Sequence, residues 1–136
     1  MMTLFERISG LNYVVQRGFD ELPGNLELQA DLDLFVDVKD LQLLEEVVRN
    51  AEFPIKVDIR YKGDGYYPDY ICDKLLEETR ELRGMKIPSA EAYFLALFYH
   101  SQVHGREQKY IKELKRAFLG WIPPTEPMDK GVKYSP

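Results

Sequence analysis

Residues 31–61 read DLDLFVDVKDLQLLEEVVRNAEFPIKVDIRY and predict a strand, a helix and a second strand. Polar and apolar side chains alternate over residues 31–37, which is the pattern of a strand with one apolar face. A helical pattern follows from about Leu41, with Asp40 as the expected N-cap. The alternation returns over residues 55–61. Two strands on either side of a helix predict an α/β unit.

The chain outside this unit adds one predicted strand and three predicted helices. The strand covers residues 11–15, and a polar helix is expected over about residues 71–83. A helix capped by Ser89 is apolar all round over residues 93–99, which predicts a central, buried position. An amphipathic helix is expected over about residues 106–119. The predicted fold is α/β (α+β), with a small mixed sheet, helices packed on it and a C-terminal helical segment.

The chain has 136 residues, which predicts one domain. We expect this domain to cover residues 1–122, with a strand unit in 1–70 and a helical segment in 71–122. Residues 123–136 contain four prolines and are expected to form an extended tail. Such a tail is typical of a module that belongs to a larger assembly or is fused to a partner domain.

The composition narrows the classes of partner. Lys and Arg total 18 against 23 for Asp and Glu, a net charge of −5, which argues against nucleic-acid binding. No apolar run reaches the roughly 20 residues of a membrane-spanning helix. A single cysteine, Cys72, cannot form an internal disulfide. The expected location is therefore the cytoplasm, with no membrane partner.

Three aspartates on the two central strands need an explanation. Asp31 and Asp33 lie two residues apart and share one strand face, and Asp58 lies in the second strand. If the strands are neighbours, three carboxylates converge and repel one another unless a cation binds between them. Oxygen ligands of this kind suit Mg²⁺. The alternative is a half-solvated acidic strand face with no ligand.

The motifs around these aspartates resemble those of the nucleotidyltransferase fold of the DNA polymerase β superfamily. A glycine step at residues 18–19 precedes an eleven-residue loop and the DLDL motif at residues 31–34. The VDI sequence at residues 57–59 matches the family's third motif, an aspartate between two hydrophobic residues. This resemblance covers about residues 11–62.

The chain also resembles a group of small uncharacterised nucleotidyltransferase-like proteins of bacteria and viruses. The matching segments are RGFDELP at residues 17–23, VDIRYKGDGYY at 57–67 and YHSQVH at 99–104. Together they extend the resemblance over residues 17–104.

The resemblance implies a role for each matched residue. Asp31, Asp33 and Asp58 would be the catalytic residues and the ligands of Mg²⁺ or Mn²⁺. Arg17 and Gly18 would bind the nucleoside triphosphate, with ATP as the first choice. The implied reaction moves a nucleoside monophosphate from this donor to an unknown hydroxyl acceptor and releases pyrophosphate.

One position departs from the family pattern. Phe19 stands where the family has a serine that contacts the terminal phosphates. Arg17 is a possible replacement, because a guanidinium suits phosphate geometry. The alternative is a non-catalytic binding or interaction domain that has kept the fold. A metal-dependent phosphohydrolase that uses the same acids is a third reading.

His100 and His104 lie four residues apart, which is one face of a helix. They allow three interpretations: metal ligands, lining of a ligand pocket, or plain packing. No third ligand of a known helical zinc motif accompanies them.

Four tyrosines follow the third motif closely: Tyr61, Tyr66, Tyr67 and Tyr70. Their rings are able to stack on a base or sugar. We favour the other interpretation, in which they cover the junction between the strands and the helices, with their hydroxyls at the surface.

Overall fold

The described part of the chain builds two small sheets and four α-helices. The structure is a computed structural model that describes residues 4–19, 22, 31–50 and 56–103. The elements are, in chain order, α1 (Leu4–Arg7), β1 (Tyr13–Val15), β2 (Asp31–Val36), a 3-10 helix (Val38–Asp40), α2 (Leu41–Asn50), β3 (Lys56–Tyr61), α3 (Asp69–Glu77), β4 (Thr79–Leu82), β5 (Met85–Pro88) and α4 (Ala90–Val103). The predicted mixed class, with a small sheet and packed helices, is confirmed.

The main sheet has the strand order β1-β2-β3. β1 runs antiparallel to β2, and β2 runs parallel to β3. Parallel neighbours need a crossover connection, and the segment that contains α2 supplies it. The strands that carry Asp33 and Asp58 are therefore adjacent, which the sequence alone left open.

Each face of this sheet has its own core. On one face Leu32, Leu34 and Val36 are buried with residues of α1, α2 and the β4-β5 hairpin. On the other face Val14 and Phe35 are buried with residues of α3 and α4. Successive strand residues point to opposite faces, so the alternation in β2 produces both cores. The aspartates lie on the α3/α4 face.

The prediction of a polar helix over residues 71–83 is wrong for the residues after Glu77. α3 ends there, and residues 79–88 form the antiparallel hairpin β4-β5. Arg83 and Gly84 make the turn, with φ of 48° and 80°. Positive φ at both positions is typical of a tight hairpin turn. Gly84 therefore lies in the turn between β4 and β5 and does not end a helix.

The β4-β5 hairpin is attached to the sheet through Lys86. The backbone N–H of Lys86 donates to Tyr13 Oη (3.2 Å), and Lys86 Nζ donates to the carbonyl of Leu11 (2.7 Å). These contacts join residues more than 70 positions apart, so they depend on the tertiary fold.

Asp40 does not cap α2, contrary to the prediction. Asp37 caps the preceding 3-10 helix, because its side chain accepts from the backbone N–H of Lys39 (3.1 Å). Asp40 Oδ2 instead accepts from the backbone N–H of Asn12 (2.8 Å). Asp40 therefore fixes the entry into β1.

The predicted cap of α4 is confirmed, but its predicted complete burial is wrong. Ser89 Oγ accepts from the backbone N–H of Ala92 (3.1 Å). One face of α4 is buried, whereas Phe98 is 48% exposed. The helix predicted over residues 106–119 and the tail over 123–136 lie outside the described residues. No helix within the described ranges has the length and apolar character needed to cross a membrane.

Candidate metal and anion site

Three carboxylates meet near the beginnings of β2 and β3. One oxygen each from Asp31, Asp33 and Asp58 lies within 4.8 Å of the others. Asp33 and Asp58 are direct partners in the parallel register, and Asp31 lies two residues earlier on the same face. Asp31 is exposed, whereas Asp33 and Asp58 are half-buried. The structure thus brings together the three aspartates that the sequence singled out.

Two basic side chains approach this cluster. Arg17 Nε lies 3.7 Å from Asp33 Oδ2, and Lys56 Nζ lies 3.4 Å from Asp58 Oδ1. Counted over the described residues, the three carboxylates and the two cations paired with them carry one net negative charge. A cluster of oxygen ligands with residual negative charge fits a hard divalent cation such as Mg²⁺ or Mn²⁺. Among the described residues, these aspartates are the one group of three or more side chains suited to hold a metal.

A buried polar network holds Arg17 in place. Arg17 Nη1 donates to Gln16 Oε1 (3.2 Å), which also accepts from Tyr67 Oη (2.6 Å). Gln16 Nε2 donates to the carbonyl of Leu34 (3.0 Å), so the amide is fixed to β2. On its other side, Arg17 Nη2 lies 3.5 Å from His100 Nδ1. The Arg17 side chain is 10% exposed, and its guanidinium is held by groups from several parts of the fold.

His100 belongs to this network rather than to the carboxylate cluster. Its Nδ1 contacts both Arg17 Nη2 and Tyr66 Oη. A guanidinium only donates hydrogen bonds, so Nδ1 is the acceptor in the contact with Arg17. The packing and pocket-lining interpretations fit His100. His104 lies outside the described residues.

Backbone conformation accounts for the glycine at position 18, and burial in the core accounts for the phenylalanine at position 19. Gly18 has φ of 73°, in the left-handed region that favours glycine. The Phe19 side chain is only 2% exposed, and its ring centroid lies 5.2 Å from that of Tyr93. Phe19 therefore serves the core. Its carbonyl accepts from Arg83 Nη2 (2.8 Å), which ties the step to the β4-β5 hairpin.

The tyrosines after β3 pack against the site. The Tyr66 ring carries the Arg60 guanidinium 4.1 Å from its centroid and meets Tyr67 edge-on at 4.9 Å. The Tyr67 ring is buried, as the packing interpretation predicts, but its hydroxyl is buried too, because it donates to Gln16 Oε1. Tyr70 is 60% exposed. The Tyr66 ring is thus occupied by protein groups.

Buried tyrosines predict a loss of stability in alkali. Burial raises the pKa of Tyr13 from 10.0 to about 12. It also raises the pKa of Tyr67. Between pH 10 and 12 the unfolded chain loses the Tyr13 proton while the folded chain keeps it. The free energy of unfolding therefore falls over this range, by up to about 3 kcal/mol for Tyr13.

Thermal melts from pH 8 to pH 12 test this expectation with two matched variants. Tyr13→Phe removes a buried phenol, so its stability should fall less steeply above pH 10. Tyr70→Phe removes an exposed phenol and should follow the wild type. Equal slopes for wild type and Tyr13→Phe would contradict the prediction. Cys72 is present in all three proteins and contributes the same loss of stability in alkali to each, because burial raises its pKa from 9.0 to about 11.

Two residues of the site were missed at the level of sequence. Gln16 continues the β1 alternation on the face of Val14, and a polar side chain there was an available signal. Arg60 lies two residues after Asp58, so it shares that face of β3. Gln16 also bonds to Leu34 and Tyr67, which lie far along the chain and leave no local signature.

Comparison with known proteins identifies no relative of this chain. The family resemblance of the motifs therefore stays a prediction, and the side chains of the site are the basis for its function. No protein-family model, curated protein or solved structure matches the chain.

Proposed function

We propose that this protein is a Mg²⁺-dependent nucleotidyltransferase. It moves a nucleoside monophosphate from a nucleoside triphosphate, ATP as first choice, to a hydroxyl acceptor and releases pyrophosphate. The observation that carries the proposal is the convergence of Asp31, Asp33 and Asp58 within 4.8 Å. Cross-strand pairing of Asp33 with Asp58 supports it, because the resemblance requires these two carboxylates to act on one substrate.

Each residue has a role in this reaction. Asp31, Asp33 and Asp58 would hold Mg²⁺, which when bound supplies positive charge to the reacting phosphates. Arg17 binds phosphate oxygens of the donor through its planar guanidinium. Gly18 leaves its backbone uncovered by a side chain, so phosphates approach it closely.

The chemical step is a single displacement at the α-phosphorus. The carboxylate of Asp58 takes the proton of the acceptor hydroxyl. The hydroxyl oxygen then forms a bond to the α-phosphorus. The bond from this phosphorus to the oxygen that bridges to the β-phosphate breaks, and pyrophosphate leaves with the electron pair.

We further propose a small cytoplasmic acceptor rather than a nucleic acid. A net charge of −5 disfavours binding to a phosphate backbone. A single, buried free cysteine suits a reducing compartment.

A second candidate is a non-catalytic binding domain. It is favoured by two observations: Arg17 and Lys56 already face two of the carboxylates, and Phe19 is committed to the core. In this reading the basic side chains, rather than a metal, compensate the aspartates. The two candidates differ in Mg²⁺-dependent nucleotide binding.

Calorimetric titration of each nucleoside triphosphate separates them. We expect binding by the wild type with Mg²⁺ and none with EDTA. Asp31→Asn/Asp33→Asn should lose this binding, because two of the three ligands lose their charge. The matched control Asp69→Asn/Asp73→Asn changes the net charge equally on α3 and should bind like the wild type.

The outcome decides between the candidates as long as each variant is folded, which circular dichroism and thermal melts establish. Binding that survives in EDTA or in Asp31→Asn/Asp33→Asn would refute the carboxylate site. Absence of binding by a folded wild type would favour the non-catalytic domain.

A further inference from the structure

Arg60 belongs to β3, a strand at the edge of the main sheet. It follows Asp58 by two residues on the same strand face, which is about 7 Å along the strand. Its register partner on β2 is Phe35, whose side chain is buried. Arg60 therefore extends the polar end of this sheet face towards the apolar core under α3 and α4.

The Arg60 side chain is half-buried, and no ion pair of the described residues includes it. Its guanidinium stacks on the Tyr66 ring at 4.1 Å. A stacked guanidinium keeps its N–H groups in its own plane, where they are able to make paired hydrogen bonds to an oxyanion. A partly desolvated cation that lacks a carboxylate partner is best stabilised by such an anion.

The support beneath Arg60 is fixed. The backbone N–H of Tyr66 donates to Asp64 Oδ1 (2.8 Å), and its hydroxyl contacts His100 Nδ1. Tyr67 meets the same ring edge-on. Because the platform is held from several directions, the guanidinium is positioned before a ligand arrives.

Arg60 and Arg17 lie on opposite sides of β2 in the strand order, and both reach Tyr66: Arg60 lies over the ring, and Arg17 hydrogen-bonds to the hydroxyl. Arg17 follows β1, whereas Arg60 belongs to β3, and β2 with its two aspartates lies between these strands. The proposed donor phosphates occupy the Arg17 side. Asp58, the proposed base for the acceptor hydroxyl, lies on the Arg60 side.

We propose that Arg60 binds an anionic group of the acceptor, a phosphate or a carboxylate, about 7 Å from the hydroxyl that reacts. This inference rests on the proposed function and adds the substrate class: a hydroxyl compound that carries an oxyanion. Arg60 is then a specificity-determining residue, and Tyr66 positions it.

Inorganic phosphate is the probe for this site. We would titrate it by calorimetry into the Mg²⁺-loaded protein, with and without saturating α,β-methylene-ATP to occupy the donor side. We expect wild type to bind phosphate under both conditions. Arg60→Gln should weaken this binding by about ten- to hundredfold, since hydrogen bonds to a charged group are lost.

Two further variants sharpen the comparison. Arg80→Gln makes the same charge change at an exposed position on β4 and should leave phosphate affinity within about twofold of wild type. Arg60→Lys keeps the charge without the planar fork, so its affinity should fall between those of wild type and Arg60→Gln.

Three results would overturn the inference: no phosphate binding by wild type, equal affinities in Arg60→Gln and Arg80→Gln, or displacement of phosphate by α,β-methylene-ATP. The last would assign Arg60 to the donor. Failure of the proposed function has a different signature, since Mg²⁺-dependent nucleotide binding is then absent while the phosphate comparison without nucleotide is still measurable.

Discussion

Asp58→Asn is expected to lower the proposed Mg²⁺-dependent transfer by about 10²- to 10⁴-fold, the usual range for loss of a positioned general base. The amide has the same size as the carboxylate but neither takes the hydroxyl proton nor carries the charge that holds a cation. The fold should survive. The Lys56–Asp58 pair is an exposed one, with Lys56 largely in solvent, and such pairs contribute about 1 kcal/mol or less.

Pyrophosphate release and thermal unfolding, measured on the same preparations, test this prediction. Asp69→Asn is the matched control, because it removes one carboxylate from the exposed first turn of α3. It should keep wild-type turnover. If Asp58→Asn turned over as fast as Asp69→Asn while both were folded, the assignment of Asp58 as the base would be wrong.

Phe35→Ala is expected to reduce the free energy of unfolding by about 3–5 kcal/mol. Phe35 is fully buried at the centre of the sheet and packs against Tyr67, with ring centroids 6.1 Å apart. Removing the ring leaves a cavity under α3 and α4 that a fixed sheet cannot close. This loss is a large share of the stability of a typical small domain, about 5–15 kcal/mol.

Urea unfolding followed by circular dichroism measures the loss. Phe98→Ala is the matched control, since it deletes the same group from the exposed side of α4, where its ring contacts that of Phe94. We expect it to change the free energy of unfolding by about 1 kcal/mol or less. Similar losses in the two variants would show that the buried Phe35 ring contributes no more to the free energy of unfolding than the exposed Phe98 ring.

The β2-α2-β3 unit could be predicted because its signals are local. Alternation in residues 31–36 and helical spacing from Leu41 are visible in a short window. The hairpin at residues 79–88 was missed for the opposite reason. The residues of β4 are largely polar and exposed, like those of an exposed helix. The turn depends on the positive φ of Arg83 and on contacts with β1.

The residues of the candidate site also differ in whether the sequence alone predicts them. The aspartates could be found because their spacing and the motif resemblance are written in consecutive residues. The distant partners of Arg17 could not, since Tyr67 and His100 lie 50 and 83 positions further along the chain. Burial and hydrogen bonding across the fold, which no sequence window contains, select these partners.

The position of Phe19 also limits how this chain is able to evolve. A serine there would place a hydroxyl where the buried ring now meets Tyr93 and would leave a cavity. By comparison with other large-to-small core changes, the free energy of unfolding would fall by about 3–5 kcal/mol. A single substitution to serine at this position would therefore destabilise the fold. A serine would be tolerated here only together with compensating changes in the neighbouring core, so the sequences of the loop and of the core constrain each other.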